Sequence, residues 1–120
     1  MATILTVDDT ATMRQMISFT LGSVGHQVIE ATDGAEALEI ARGRKFDLVI
    51  ADVNMPNMDG ISLVKNLRTL PDYRFTPILI LTTESQDKKR QEGRTAGATG
   101  WIVKPFNPEQ LLTVVKKVLG

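Results

Sequence analysis

The chain has 120 residues, 42% hydrophobic and 23% charged, proportions that fit one globular domain with a single core. Fourteen basic residues balance fourteen acidic ones, so no net field favours nucleic acid or an anionic membrane. The absence of cysteine excludes disulfides, thiolate metal sites and thiol catalysis, and no apolar run approaches the roughly 20 residues that span a bilayer.

MATILTVDD lacks the basic-then-apolar pattern of a signal peptide. The expectation is one cytoplasmic domain over residues 1–120. Thr3 to Val7 reads as a buried strand ending at Asp8-Asp9. Met13, Met16, Ile17, Thr20, Leu21 and Val24 then recur at helical spacing, and Gly25 closes that helix. Gln27 to Ala31 is a second strand. Asp33 followed by Glu36 forms a capping-box pattern opening a helix through Arg42, with Ala35, Leu38 and Ala41 inward. A third strand ends at Asp52, and its helix carries Ile61, Leu63, Val64, Leu67 and Leu70 before Pro71 breaks it. Pro77 to Leu81 is a fourth strand, ending at Thr82-Thr83. From Gln86 to Ala96 the next helix is nearly all polar, with Gly93 in its middle, and is expected to be among the least stable elements. Trp101 to Val103 is a fifth strand, ending at Lys104-Pro105. Asn107 caps the last helix, with Pro108 at its first position. Strict alternation of five strands and five helices predicts an α/β fold, a doubly wound parallel sheet with helices on both faces.

The chain is organised around FDLVIADVNMPNMDG, Phe46 to Gly60. Leu48 to Ala51 is the continuous apolar run of a strand buried on both faces, and it stops at Asp52. That carboxylate therefore sits at the carboxyl edge of the sheet, where open α/β folds bind ligands. Parallel strands point the same way, so Asp8-Asp9, Asp52, Thr82-Thr83 and Lys104 all gather on that edge. Apposed carboxylates repel and call for a proton or a cation. Carboxylate oxygens with a carbonyl and water suit Mg²⁺. A metal, an ammonium and a hydroxyl around one carboxylate describe a phosphoryl site in which the carboxylate attacks phosphorus. A buried ion-pair cluster is the bland alternative, and desolvation makes it a poor source of stability.

With Asp8-Asp9, Asp52 in DVNMPNMDG, Thr82 and Lys104-Pro105-Phe106 in this order, the chain resembles the response-regulator receiver domains of bacterial two-component signalling. The resemblance runs from about Ile4 to the C-terminus and implies a flavodoxin-like fold with strand order 2-1-3-4-5. It implies that Asp52 accepts a phosphoryl group from a sensor histidine kinase. Asp9, Asp52 and the backbone carbonyl of Asn54 would ligate Mg²⁺, with Asp8 acting through water. Lys104 would pair with the phosphoryl oxygens and form a cis bond to Pro105. Thr82 would hydrogen-bond the phosphoryl group and move towards it. Trp101 stands at the position of the family's switch aromatic, commonly tyrosine or phenylalanine, and is a departure from it. Thr12-Met13-Arg14, NMPNMDG and AGATGWIVKPF look most like the stand-alone chemotaxis regulators, which have no output domain. Asn54 and Glu84 flank the site as in those regulators, which implies a short-lived phosphoryl state. The implied partners are a chemotaxis-type sensor histidine kinase, a flagellar motor switch protein and a phosphatase, with no nucleic acid and no membrane, the chain itself being a monomer.

Outside that constellation, His26 is expected to be a plain surface residue at the opposite edge of the sheet. Lys88, Lys89, Arg90 and Arg94, interleaved with Asp87 and Glu92, read as a solvated helix face. Leu111, Val114, Val115 and Val118 form an inward stripe on the last helix that Leu112 and Leu119 widen. That width suits either a broad core stripe or an exposed apolar patch beside Trp101. The rival functions are a phosphate-sink receiver without a motor target, a Mg²⁺-dependent Asp-nucleophile phosphatase and a flavin-binding protein. A phosphatase needs a second acid near Asp52, where Asn54 stands, and a cap that no insertion supplies. A flavin site needs a phosphate-holding loop where Asp8-Asp9 place negative charge.

Overall fold

The computed structural model describes residues 1–83 and 85–120. The strands are β1 (Thr3–Val7), β2 (Gln27–Ala31), β3 (Leu48–Asp52), β4 (Ile78–Thr83) and β5 (Gly100–Lys104). The helices are α1 (Ala11–Gly22), α2 (Gly34–Gly43), α3 (Gly60–Arg68), α4 (Asp87–Ala96) and α5 (Pro108–Leu119), with a short 3₁₀ turn at Pro71–Tyr73. All strand pairings are parallel and the order is β2-β1-β3-β4-β5. This is the flavodoxin-like arrangement.

Alternation along buried strands sends apolar side chains to both faces, so two cores form. Leu5, Val7, Val49, Ala51, Ile78 and Ile80 pack with α2 and α3. Ile4, Leu48, Ile50, Leu79 and Leu81 pack with α1 and α5 through Ile17, Leu21, Leu111 and Val115. Asp33, Asp59 and Asn107 cap α2, α3 and α5 through their side chains, and α5 has a full capping box with Gln110. In α2 the box is displaced by one residue, because Glu36 accepts from the Thr32 N–H at 2.7 Å.

Several inward assignments shift. Val24 lies beyond α1 and is exposed, because the helix ends at Gly22 and a turn follows. Ala35 is exposed and Ala37 is buried in its place. The phase of α2 is set by Gly34, whose N–H donates to the Met58 carbonyl; Ala37, Leu38 and Ala41 then follow it on the inner face. On α5 only Leu111 and Val115 are fully buried, and Val114 and Val118 are half-buried. β4 begins at Ile78 and runs on through Thr83, so both threonines belong to the strand. Gly93 is the one buried residue of α4, and a Cβ there would lie 2.4 Å from Ile80 Cδ1. The glycine that weakens the helix locally thus lets it lie close against β4. His26 is half-buried, and its Nδ1 accepts from the Ala2 N–H at 3.0 Å. It fastens the start of β1 and is not a plain surface residue, although it does lie at the far edge of the sheet.

Candidate functional site

Register brings the polar strand ends together. Val7 pairs with Ala51, so Asp8 and Asp52 are the next residues on adjacent strands. Asp52 pairs with Leu81, which precedes Thr82, and Thr83 pairs with Lys104. Carboxylate oxygens of Asp8, Asp9 and Asp52 lie within 4.8 Å of one another. Asp8 is fully buried, Asp52 nearly so, and Asp9 is exposed. Lys104 Nζ donates to Asp52 Oδ2 at 2.8 Å and lies 3.8 Å from Asp8 Oδ2. The Lys104–Pro105 bond is cis, as the resemblance implies.

Asp8 carries the strain of this arrangement. Its Oδ1 accepts from the Thr10 N–H at 2.8 Å, while its Oδ2 is buried with no hydrogen-bond partner among the described residues. Burial pushes the Asp8 carboxyl above its ordinary value; Asp52 and Asp9 add to that, and the Thr10 N–H and Lys104 oppose it. A buried oxygen with no hydrogen bond among the described residues, beside two further carboxylates, fits a hard divalent cation and oxygen-only ligands. Asp8, Asp9 and Asp52 are the residues that would hold Mg²⁺.

Thr82 Oγ1 is also fully buried without a partner among the described residues. Thr82 pairs with Val103 and Ile80 with Trp101, so alternation puts Thr82 and Trp101 on the face of the sheet that α4 covers. Trp101 is half-buried there, with the guanidinium groups of Arg94 and Arg90 at 5.0 and 5.9 Å from its ring. The basic side of α4 is therefore partly engaged with an aromatic ring. Beside Trp101 a groove of about 460 Å³ runs between β5 and α5, past Val103, Phe106 and Val114. Asn54 is exposed, and its N–H donates to Asp52 Oδ1 at 3.3 Å. Glu84 lies outside the described residues.

Sequence reasoning singled out the Thr12-Met13-Arg14 segment without finding its use. Arg14 Nη1 donates to the Asp8 carbonyl at 2.5 Å, and its Nε lies 3.4 Å from Glu30. Arg14 thus holds the turn that carries Asp8 and Asp9. Arg68 was missed altogether. It donates to the carbonyls of Gly97, Tyr73 and Thr76, joining α3 to the end of α4 and the start of β4. Such contacts carry no periodic or motif signal.

The sequence profile of the response regulator receiver domain matches residues 4–116. The chain belongs to the response regulator receiver family. It is 40% identical to the chemotaxis protein CheY homolog of Campylobacter jejuni, over 98% of this chain and 92% of that one. The crystallised chemotaxis response regulator CheY4 of Vibrio cholerae is 53% identical, with a TM-score of 0.94 over 98% of both chains. The receiver domain of the sensor histidine kinase PA1611 from Pseudomonas aeruginosa matches at 28% identity and a TM-score of 0.92, over 99% of this chain and 98% of that one. That structure has a magnesium ion coordinated in its active-site cleft. The receiver family also explains the fold, a CheY-like parallel sheet with acidic residues at its carboxyl edge. Among the described residues no helix is long and apolar enough to cross a membrane.

Proposed function

We propose that this receiver is a phosphorylation-driven switch, a single domain over residues 1–120 working in chemotaxis or flagellar motor control. The observation that carries the reading is Lys104 Nζ at 2.8 Å from Asp52, beside two further carboxylates within 4.8 Å. A carboxylate oxygen of Asp52 attacks the phosphorus of a phosphohistidine on a sensor histidine kinase. The O–P bond forms, the N–P bond breaks, and its electron pair returns to the imidazole ring. Asp9, Asp52 and the Asn54 carbonyl would hold Mg²⁺ directly, with Asp8 acting through water, and the bound ion would supply positive charge to the phosphoryl oxygens. Lys104 neutralises a further oxygen, exchanging its contact with Asp52 for one with the phosphoryl group.

Thr82 supplies a hydroxyl with no hydrogen-bond partner among the described residues, and bonding to the phosphoryl group gives it one. Its displacement is felt by Trp101 on the same sheet face and by α4 above it. The face formed by α4, β5 and α5, with its groove beside Trp101, then binds the partner. The chain catalyses only its own phosphotransfer and dephosphorylation. The chemotaxis assignment rests on likeness to the chemotaxis proteins of C. jejuni and V. cholerae.

Beryllofluoride with Mg²⁺ stands in for the phosphoryl group, and Trp101 emission follows its binding. Tighter binding of a motor-switch N-terminal peptide in that state supports motor output. A change at Trp101 without peptide binding points to a phosphate-sink receiver. No bound species in ¹⁹F NMR overturns Asp52 as phosphoacceptor.

A further inference from the structure

The loop after Asp52 is fastened at its far side to the first turn of α2. Asp33 uses both carboxylate oxygens there. Oδ1 accepts from the Glu36 N–H at 2.8 Å and caps the helix, while Oδ2 accepts from the side-chain amide of Asn57 at 2.7 Å. Those two bonds hold the Asp33 carboxyl below its ordinary value. Asn57 has φ 66°, in the left-handed region that Asn tolerates better than most non-glycine residues. One residue further along each segment, the Gly34 N–H donates to the Met58 carbonyl at 3.1 Å. A Cβ on Gly34 would lie 2.4 Å from that oxygen, so glycine is required for the approach. At its near end the loop is tied to β3 by the Asn54 N–H on Asp52 Oδ1, and the Gly60 N–H at the start of α3 closes it on the Val53 carbonyl. The segment carrying Asn54 is therefore held at both ends.

We infer that Asp33, Gly34 and Asn57 are positioning residues for the metal: the start of α2 clamps the Asn54–Asp59 loop so that the Asn54 carbonyl is already in place for Mg²⁺. The inference rests on the metal site proposed above. None of the three belongs to the carboxylate cluster, and their effect passes through the backbone of the loop. A loop ordered in advance spares the ion the entropy of ordering it, so the clamp appears as affinity. Hydrogen-bonded groups behind metal ligands act in this way generally.

The test is a calorimetric titration of the full chain with Mg²⁺. Asp33→Ser keeps a good N-cap but is too short to reach Asn57. Asn57→Gly keeps the left-handed backbone and deletes the amide. Each is expected to weaken Mg²⁺ binding about tenfold. The double variant is expected to be no weaker than either single one, because both remove one contact. Asp33→Asn is expected to bind as the wild type does, since asparagine caps equally well and its amide can bond a turned Asn57. Hydrogen exchange in residues 54–59 of the metal-free protein is expected to quicken in both single variants. Wild-type affinity in the folded variants, or additive losses, overturns the inference. If Asp33→Ser fails to fold, Asn57→Gly decides alone. A wild-type chain that binds no Mg²⁺ overturns the site reading and this inference with it, whereas wild-type binding with unchanged variants overturns this inference only.

Discussion

α3 and α4 lie side by side on one face of the sheet and are held by opposite means. α3 buries Ile61, Leu63, Val64 and Leu67 in the core. α4 fully buries only Gly93 and packs Ala96 against the core; the Arg90 and Arg94 stack on Trp101 and the Arg68 bonds to the Gly97 carbonyl at its end tie it further. Removing α3 from the sheet exposes a core. Displacing α4 exposes little apolar surface, so its position is set by a few directional contacts. An element held in that way can answer a small event at Thr82 without the domain unfolding, and α4 is placed over the Thr82–Trp101 face.

Leu63→Ala leaves a cavity in the core beneath α3 and is expected to lower global stability by about 2–5 kcal/mol in denaturant unfolding. An equal loss from Lys88→Ala, at an exposed position of α4, would show that the two helices are held alike. Arg68→Ala frees the Gly97, Tyr73 and Thr76 carbonyls, with an expected loss of about 1–3 kcal/mol. Native-state hydrogen exchange is expected to quicken more in α4 than in α3 in that variant, since Gly97 closes α4.

Asp8→Asn sharpens the contrast through pH. Burial holds the Asp8 carboxyl above 3.8, so between that value and the folded one the folded chain binds the proton more tightly than the unfolded chain. The stability linked to this proton is complete below about pH 3.8 and is lost as pH rises through the folded value. The metal-free Asp8→Asn chain does not undergo that loss. It is expected to be more stable than the wild type at neutral pH by about 0.5–2 kcal/mol, with the gap closing in acid and Mg²⁺ affinity reduced. Thermal melts across pH check the first point and calorimetry the second. Because the strain sits at the end of the enclosed strand β1, α3 amides are expected to slow with global stability while local opening of α4 is unchanged. The smallest effect is expected from Arg94→Gln. It removes one cation from the Trp101 ring, lowers stability by about 0.5–1 kcal/mol or less, and raises solvent exposure of Trp101 in iodide quenching.

Much of this was legible in the sequence. The strand ends Asp8, Asp52, Thr82 and Lys104, and the caps Asp33 and Asn107, follow from short-range pattern, because strand burial and helix capping are decided within a few neighbouring residues. Parallel alternation then required those ends to share one edge. The strand order came from resemblance, and pairing across the sheet bears it out. Val24 and Ala35 went astray because apolar spacing does not fix where a helix stops or how it is phased against the loop it meets. Gly93 reads as a weak point in a helix and becomes a close approach only once Ile80 lies beneath it. The Asp33–Asn57 and Arg14–Asp8 bonds, the stacking on Trp101 and the Arg68 ties join residues by direction and distance in space. Composition and period carry no record of such contacts. Sequence alone determined which chemistry the sheet edge holds; the tertiary structure decided which groups hold that edge in shape, because those bonds exist only after the chain has folded.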